Sequence, residues 1–198
     1  MLRRILLTIL TLFIAIVGGA SSVNYILNTF DGFGRLTIGQ WEAYPLAGTS
    51  EADSYARARS AKRGDISLGL TEGLVFQLWH DIHDNPLKTQ CTYELKGVLP
   101  EARLFTLYAA NHAMQPLWID PKLPTELYNG NVVHQSDDLI KITISPSAQT
   151  GNWLATRGRT EYGLVLTLYD TPIASSTALQ NLEMPTVSPI YTGVAGCD

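Results

Sequence analysis

The residues best suited to chemistry lie at positions 80–84, where two histidines and two aspartates stand within five residues. Imidazole and carboxylate groups are common metal ligands and common partners in acid–base catalysis. On a strand, side chains alternate between two faces, so Asp81 and His83 would share one face. At most two ligands could then converge, and a third would have to come from another part of the chain. The available histidines are His112 and His134.

The same five residues also have a purely structural interpretation, as the end of a strand that runs into a polar turn. In that case Asp81 and Asp84 would accept hydrogen bonds from backbone amides. We keep Asp81, His83 and Arg103 as candidates for a catalytic site, and we predict no metal site and no cofactor. The chain contains no nucleophile elbow, phosphate loop, zincin helix or dinucleotide fingerprint, which disfavours the common hydrolases and nucleotide enzymes.

A second group of residues is suited to binding. Arg57 and Arg63 lie in a short basic segment that could hold a phosphate, an anionic headgroup or a carboxylated sugar. The alternative is a solvated helix face with charge pairs at helical spacing. Trp118 stands between two prolines and is predicted to be an exposed aromatic residue, suited to stacking on a ligand. Trp79 and Trp153 lie in strand contexts and are predicted to belong to the core.

Composition excludes several classes of protein. The 198 residues are 45% hydrophobic and 16% charged, with a net charge of −4, so a nucleic-acid binder with a basic face is not indicated. Two cysteines are too few for a disulfide scaffold. Cys91 alternates inward on its strand, which favours a buried thiol. A disulfide with Cys197 is the alternative in an oxidising compartment.

The N-terminal segment explains why mean hydropathy is as high as +0.05. After Arg3 and Arg4, no charged residue appears until Asp31. A helix over residues 5–27 would be about 35 Å long, enough to cross a hydrocarbon core of about 30 Å. The arginines predict a cytoplasmic N-terminus, a single span of a bacterial inner membrane and a periplasmic domain. The alternative is a signal peptide cleaved after Ala20, which would leave a free periplasmic protein.

We therefore divide the chain into an N-terminal anchor or signal segment, residues 1–30, and an exported domain, residues 31–198. Residues 28–40, which span the boundary between these two parts, are predicted to form a linker. The pattern predicts a helix over residues 51–63 with Ser50 as its N-cap and Gly64 as its stop. A short helix is also predicted over residues 175–182. Without the two N-terminal arginines, the net charge of −6 gives the domain no attraction to anionic lipid.

The remaining segments are typical of β-structure. Residues 74–79 and 89–96 are predicted to form a hairpin, and Asn129-Gly130 predicts a second one. Further strands are predicted over residues 103–109, 139–145 and 162–169. Many short strands at this spacing favour a mostly β fold, an antiparallel β-sandwich or jelly-roll-like domain with one or two short helices.

Several short motifs, in their order and spacing, resemble the bacterial domain-of-unknown-function family numbered 1214. The resemblance covers roughly residues 38–190, and the motifs are Asp53-x-Tyr55-x-Arg57-Ala58, Arg63-Gly64, Cys91-x-Tyr93, Leu99-Pro100 with Arg103, and Gly151-Asn152-Trp153-Leu154. One departure is Leu104-Phe105 directly after Arg103, where the family usually has aromatic residues, often a tryptophan pair. The resemblance implies a β-sandwich behind one N-terminal membrane segment. Larger members carry a companion domain, numbered 1254, before this one.

The family has no settled catalytic mechanism, so the resemblance implies no active-site residues. Our leading hypothesis is a membrane-anchored envelope protein whose periplasmic domain binds a partner protein or an envelope ligand. The alternative is an enzyme that processes envelope lipid or glycan, with a pocket at one end of the sandwich.

Overall fold

The structure is a computed structural model that describes residues 1–29, 33–64, 67–174, 182–190, 193, 196 and 197. The chain divides into two compact units. The first unit consists of Met1–Phe33 and Ala52–Ile66, and the second of Gly34–Glu51 and Ser67–Asp198. The first unit is helical and the second is built from strands.

The first helix, α1, spans Leu2–Thr29 and confirms the predicted N-terminal helix. Its segment Leu2–Leu27 is long and apolar enough to cross a membrane, and its apolar side chains are exposed. At 1.5 Å per residue these 26 residues extend about 39 Å, more than the hydrocarbon thickness.

The second helix, α2, spans Ser54–Arg63 and begins three residues later than predicted. Its N-cap is Asp53 and not Ser50, because the Asp53 carboxylate accepts hydrogen bonds from the backbone amides of Tyr55 and Ala56. Gly64 ends the helix as predicted, with a left-handed φ of 70°.

The strands of the second unit form two sheets. Their bounds are β1 Leu36–Ile38, β2 Trp41–Ala43, β3 Gly73–Leu78, β4 Thr92–Val98, β5 Leu104–Ala110, β6 Glu126–Tyr128, β7 Leu139–Ser145, β8 Asn152–Ala155, β9 Gly163–Tyr169 and β10 Thr186–Ile190. The six-stranded sheet has the order β1-β2-β3-β9-β5-β6, and the four-stranded sheet has the order β10-β4-β7-β8. Strands β7 and β8 are parallel, and the other described pairs are antiparallel.

Alternating apolar residues of both sheets meet in one buried cluster, which makes the unit a β-sandwich. On β7, Ile140, Ile142 and Ile144 point inward as predicted. The opposing sheet contributes the alternate residues of β3 and β9, such as Phe76 and Leu166. The sequence predicts the inward face of β7 because apolar and other residues alternate along it, whereas β9 is buried on both faces.

The predicted hairpin between residues 74–79 and 89–96 is wrong. The first of these strands, β3, pairs with β2 and β9, whereas β4 pairs with β10 and β7 in the other sheet. The connection between them crosses the sandwich. Sequence proximity favoured a hairpin, but the hydrogen bonds of both strands go to partners that are distant in sequence.

The hairpin predicted at Asn129-Gly130 is also wrong. The strand before it, β6, pairs with β5, and residues 132–133 form no strand. The turn is instead fixed by side chains, because Asn129 Oδ1 accepts from the amide of Phe105 and Asn131 Oδ1 accepts from that of Tyr128.

The predicted linker over residues 28–40 contains β1. Residues 175–181 of the predicted short helix lie outside the described residues.

Candidate functional site

Asp81 lies in the turn after β3 and is buried, with a relative exposure of 5%. Its Oδ1 accepts hydrogen bonds from the backbone amides of His83 at 2.8 Å and Asn85 at 3.0 Å. The amide of Asp81 donates to the carbonyl of Asn85, which closes the same turn. The carboxylate therefore acts within the turn, as the structural interpretation predicts, and His83 beside it is exposed.

Arg103 lies at the opposite end of the six-stranded sheet. Its amide donates to the carbonyl of Tyr169, the last residue of β9, while the Asp81 turn follows Leu78, which pairs with Leu164 near the start of β9. Five residue steps along a strand correspond to about 17 Å. The Arg103 guanidinium forms an exposed ion pair of 3.5 Å with Asp170. The three catalytic candidates are thus not brought together.

The binding candidates fall in different units. Arg57 is exposed on α2, and the side chain of Arg63, the last residue of α2, lies outside the described part of the structure. Trp118 belongs to the second unit, in the connection from β5 to β6. Within the described residues, no three His, Cys, Asp or Glu side chains are grouped so that they could hold a metal ion.

Trp118 is confirmed as an exposed aromatic, with a relative exposure of 99%. The residues on either side hold it in place: Leu117 packs against the core and Ile119 is buried. The amide of Leu117 donates to the carbonyl of Ala109 at 2.9 Å, which joins this segment to β5. A fixed backbone therefore presents a fully exposed indole.

Trp79 and Trp153 are half-buried, so the prediction that both belong to the core is wrong. Trp79 lies against Gly163, where a Cβ atom would come within 2.7 Å of the indole, and it stacks on His112 with ring centroids 4.6 Å apart. The indole nitrogen of Trp153 donates to the carbonyl of Ser145. The indoles of Trp79 and Trp153 therefore contact neighbouring strands or loops, whereas the indole of Trp118 is exposed to solvent.

Two tyrosines are buried in the second unit, and Tyr93 shares the inward face that alternation predicts for Cys91. Tyr93 and Tyr162 meet edge to face, with ring centroids 6.4 Å apart. The Tyr93 hydroxyl accepts from the amide of Lys88. The fully buried Tyr162 hydroxyl has no hydrogen-bond partner among the residues that the structure describes. Burial raises the pKa of Tyr162 well above its usual value, and Tyr93 adds to this effect. Burial also raises the pKa of Tyr93, the Lys88 hydrogen bond lowers it, and the charge of Asp81 raises it further.

Cys91 and Cys197 form a disulfide, with Cα atoms 5.4 Å apart. The expectation of a buried free thiol at Cys91 is therefore wrong, although Cys91 is buried as its alternation predicts. The tail is held by a further contact, because Lys88 Nζ donates to the carbonyl of Gly196 at 3.0 Å. The pairing could not be read from spacing, because 106 positions separate the two cysteines.

These features define the class of the protein: a mostly β, two-sheet domain in a chain that begins with an apolar helix. A family model described as "Protein of unknown function (DUF1214)" matches residues 72–173, just over half of the chain. The chain therefore belongs to the DUF1214 family, as its motifs predict. No curated protein matches the sequence significantly.

One solved structure shows a similar fold. The VPA0106 protein from Vibrio parahaemolyticus superimposes with a TM-score of 0.59 at 11% identity, covering 90% of this chain and 44% of that chain. An uncharacterized protein from Burkholderia cenocepacia has a TM-score of 0.48 at 11% identity, covering 66% of this chain and 33% of that one. This chain thus spans less than half the length of either neighbour. At these identities the likeness concerns the fold alone.

Proposed function

We propose that this chain is a single-pass protein of a bacterial inner membrane, whose periplasmic β-sandwich binds a partner protein through Trp118. Arg3 and Arg4 lie in the first turn of α1, before its apolar part, a distribution that retains the N-terminus in the cytoplasm. A disulfide between Cys91 and Cys197 is typical of an oxidising compartment such as the periplasm. Both features support an exported domain.

The exposed indole of Trp118 is the observation that carries the binding function. A tryptophan side chain offers about 200 Å² of surface, and covering it is worth up to about 5 kcal/mol before the costs of association. Tryptophan is among the residues most enriched at the energetic centres of protein interfaces. Leu117 and Ile119 fix the backbone, so little ordering is needed when a partner covers the ring. An anionic lipid surface is disfavoured, since the domain is acidic.

Site-specific photocrosslinking in cells tests this proposal. A photoreactive phenylalanine analogue at position 118 should yield one discrete adduct of higher mass. The same analogue at Val133, which is 71% exposed, should not yield that adduct. The proposal is contradicted if position 118 gives no adduct or if both positions give the same pattern.

The membrane anchor is tested separately by mass spectrometry of the mature protein. Retention of residues 1–20 in the membrane fraction is the expected result. A mature N-terminus at Ser21 would instead establish cleavage after Ala20 and a free periplasmic domain. Reaction of a cysteine introduced in the second unit with a membrane-impermeant maleimide in intact spheroplasts would check the orientation.

A further inference from the structure

The loop between β8 and β9 is fastened to a buried threonine. The fully buried Thr89 uses its amide, hydroxyl and carbonyl on this loop. Its amide donates to the carbonyl of Thr160 at 3.0 Å, and its Oγ1 accepts from the amide of Thr160 at 3.1 Å. Its carbonyl accepts from Thr156 Oγ1 at 3.0 Å. Both ends of the loop are therefore fixed to one point of the core.

The tip of this loop presents two arginines around a glycine. Arg157 and Arg159 are exposed, and Gly158 has a φ of +118°, which a residue with a side chain rarely adopts. Within the described residues neither guanidinium makes an ion pair or a hydrogen bond. The other two arginines of the second unit are paired, Arg35 with Glu42 at 3.2 Å and Arg103 with Asp170 at 3.5 Å.

The neighbouring charges leave the tip positive. Lys88 lies opposite Glu161 in an isolated antiparallel bridge at the base of the loop. The Lys88 ammonium donates to the carbonyl of Gly196, and Glu161 is exposed. The loop between β8 and β9 thus carries two arginines and one glutamate, in a chain whose net charge is −4.

We propose that Arg157 and Arg159 bind a divalent oxyanion, namely inorganic phosphate or a phosphate monoester. A phosphate monoester carries between −1.5 and −2 charges near pH 7, which two guanidinium groups match, whereas one carboxylate would leave an arginine unmatched. Each guanidinium can donate two parallel hydrogen bonds to phosphate oxygens. Because Thr89 fixes the loop, binding costs little ordering of the backbone.

Isothermal titration of the full-length protein in detergent with inorganic phosphate tests this site. Replacement of both arginines, Arg157→Gln with Arg159→Gln, should weaken phosphate binding at least about tenfold. The matched control is Arg103→Gln, an exposed but ion-paired arginine, which should change the affinity less than about twofold. An unchanged thermal midpoint would show that each variant is folded, as expected for exposed positions.

Two further measurements identify the chemical source of the ligand and test the conformation of the loop. Glycerol 3-phosphate should bind as inorganic phosphate does if soluble monoesters are the ligand, and glycerophosphoglycerol, the water-soluble headgroup of phosphatidylglycerol and a diester with one charge, should bind less. Gly158→Ala should weaken binding although both arginines are retained, because it strains the tip.

Three results would overturn the site: no phosphate binding by the unmodified protein, equal binding by the double variant, or acetate binding as tight as phosphate binding. Trp118→Ala should leave phosphate binding unchanged. Failure of the partner-binding proposal is therefore distinguishable from failure of this one.

Discussion

The Asp81 turn and the Trp118 loop are opposites in how their side chains are used. Asp81 is polar, buried and bonded to two backbone amides of its own turn. Trp118 is apolar and exposed to solvent, in a segment that the core holds on both sides. The comparison shows that a carboxylate in a dense run of polar residues can serve its own turn, whereas an apolar side chain can stay in solvent although its neighbours are held by the core.

The comparison predicts that changes at Asp81, at the two buried tyrosines and at the disulfide reduce or alter stability, while a change at Trp118 affects only binding. The largest effect on stability is expected from the disulfide. Cys197→Ser should lower the free energy of unfolding by about 3–4 kcal/mol, because the crosslink closes a loop of 106 positions. Urea denaturation with and without a dithiol reductant measures it. The reductant should destabilise the unmodified protein and leave the variant unchanged.

A smaller loss is expected at the turn itself. Asp81→Ala should cost about 2 kcal/mol, because two backbone amides lose their acceptor. The control is Asp84→Asn in the same turn, an exposed residue with a φ of 62°, which asparagine tolerates. If Asp81→Ala were as stable as Asp84→Asn in urea denaturation, the turn would not depend on the carboxylate. Asp81 would then again be a candidate for a catalytic residue.

The buried tyrosines should give effects of about 1 kcal/mol and of opposite sign. Tyr162→Phe should stabilise the protein, since it removes a buried hydroxyl that has no partner in the described part of the chain. Tyr93→Phe should destabilise it, because the amide of Lys88 loses its acceptor. Equal effects of the two substitutions on the free energy of unfolding would contradict the assignment of these hydroxyls.

The same tyrosines predict a loss of stability in alkali. Their pKa values are raised in the folded protein, so above about pH 10 the unfolded chain gives up protons that the folded protein retains. The free energy of unfolding should therefore fall as pH rises, with a slope of up to about 1.4 kcal/mol per pH unit for each tyrosine. Urea denaturation between pH 9 and about pH 11 measures the slope, which Tyr162→Phe should reduce.

The smallest effect on stability is expected at Trp118. Trp118→Ala should change the free energy of unfolding by less than about 0.5 kcal/mol, since the exposed indole contributes nothing to the core. The same substitution should weaken the affinity for the partner strongly, because truncation of such a residue commonly costs more than about tenfold in affinity. If Trp118→Ala unfolded more easily than the unmodified protein, the indole would contribute to stability as Asp81 does, and the two regions would no longer differ in this respect.

Part of the fold and the turn at Asp81 could be predicted from the sequence, because patterns of neighbouring residues are enough to predict them. The uncharged run after Arg4 predicts α1, and alternation predicts the inward faces of Cys91 and Ile142. The turn at Asp81 follows from the preference of aspartate for backbone amides. Helix caps were less predictable, because Ser50 and Asp53 are both good N-caps and only Asp53 has its amides in place.

The sequence by itself determined the apolar helix, the mostly β class, the inward faces of the strands and the DUF1214 family. These properties depend on residues that are close together in the chain. Tertiary structure alone decided that β3 and β4 belong to different sheets, that Cys91 meets Cys197, and that Trp79 and Trp153 are only half-buried. Each of these depends on partners distant in sequence, and one sequence does not show which of its many compatible strands will pair or whether its two cysteines will meet.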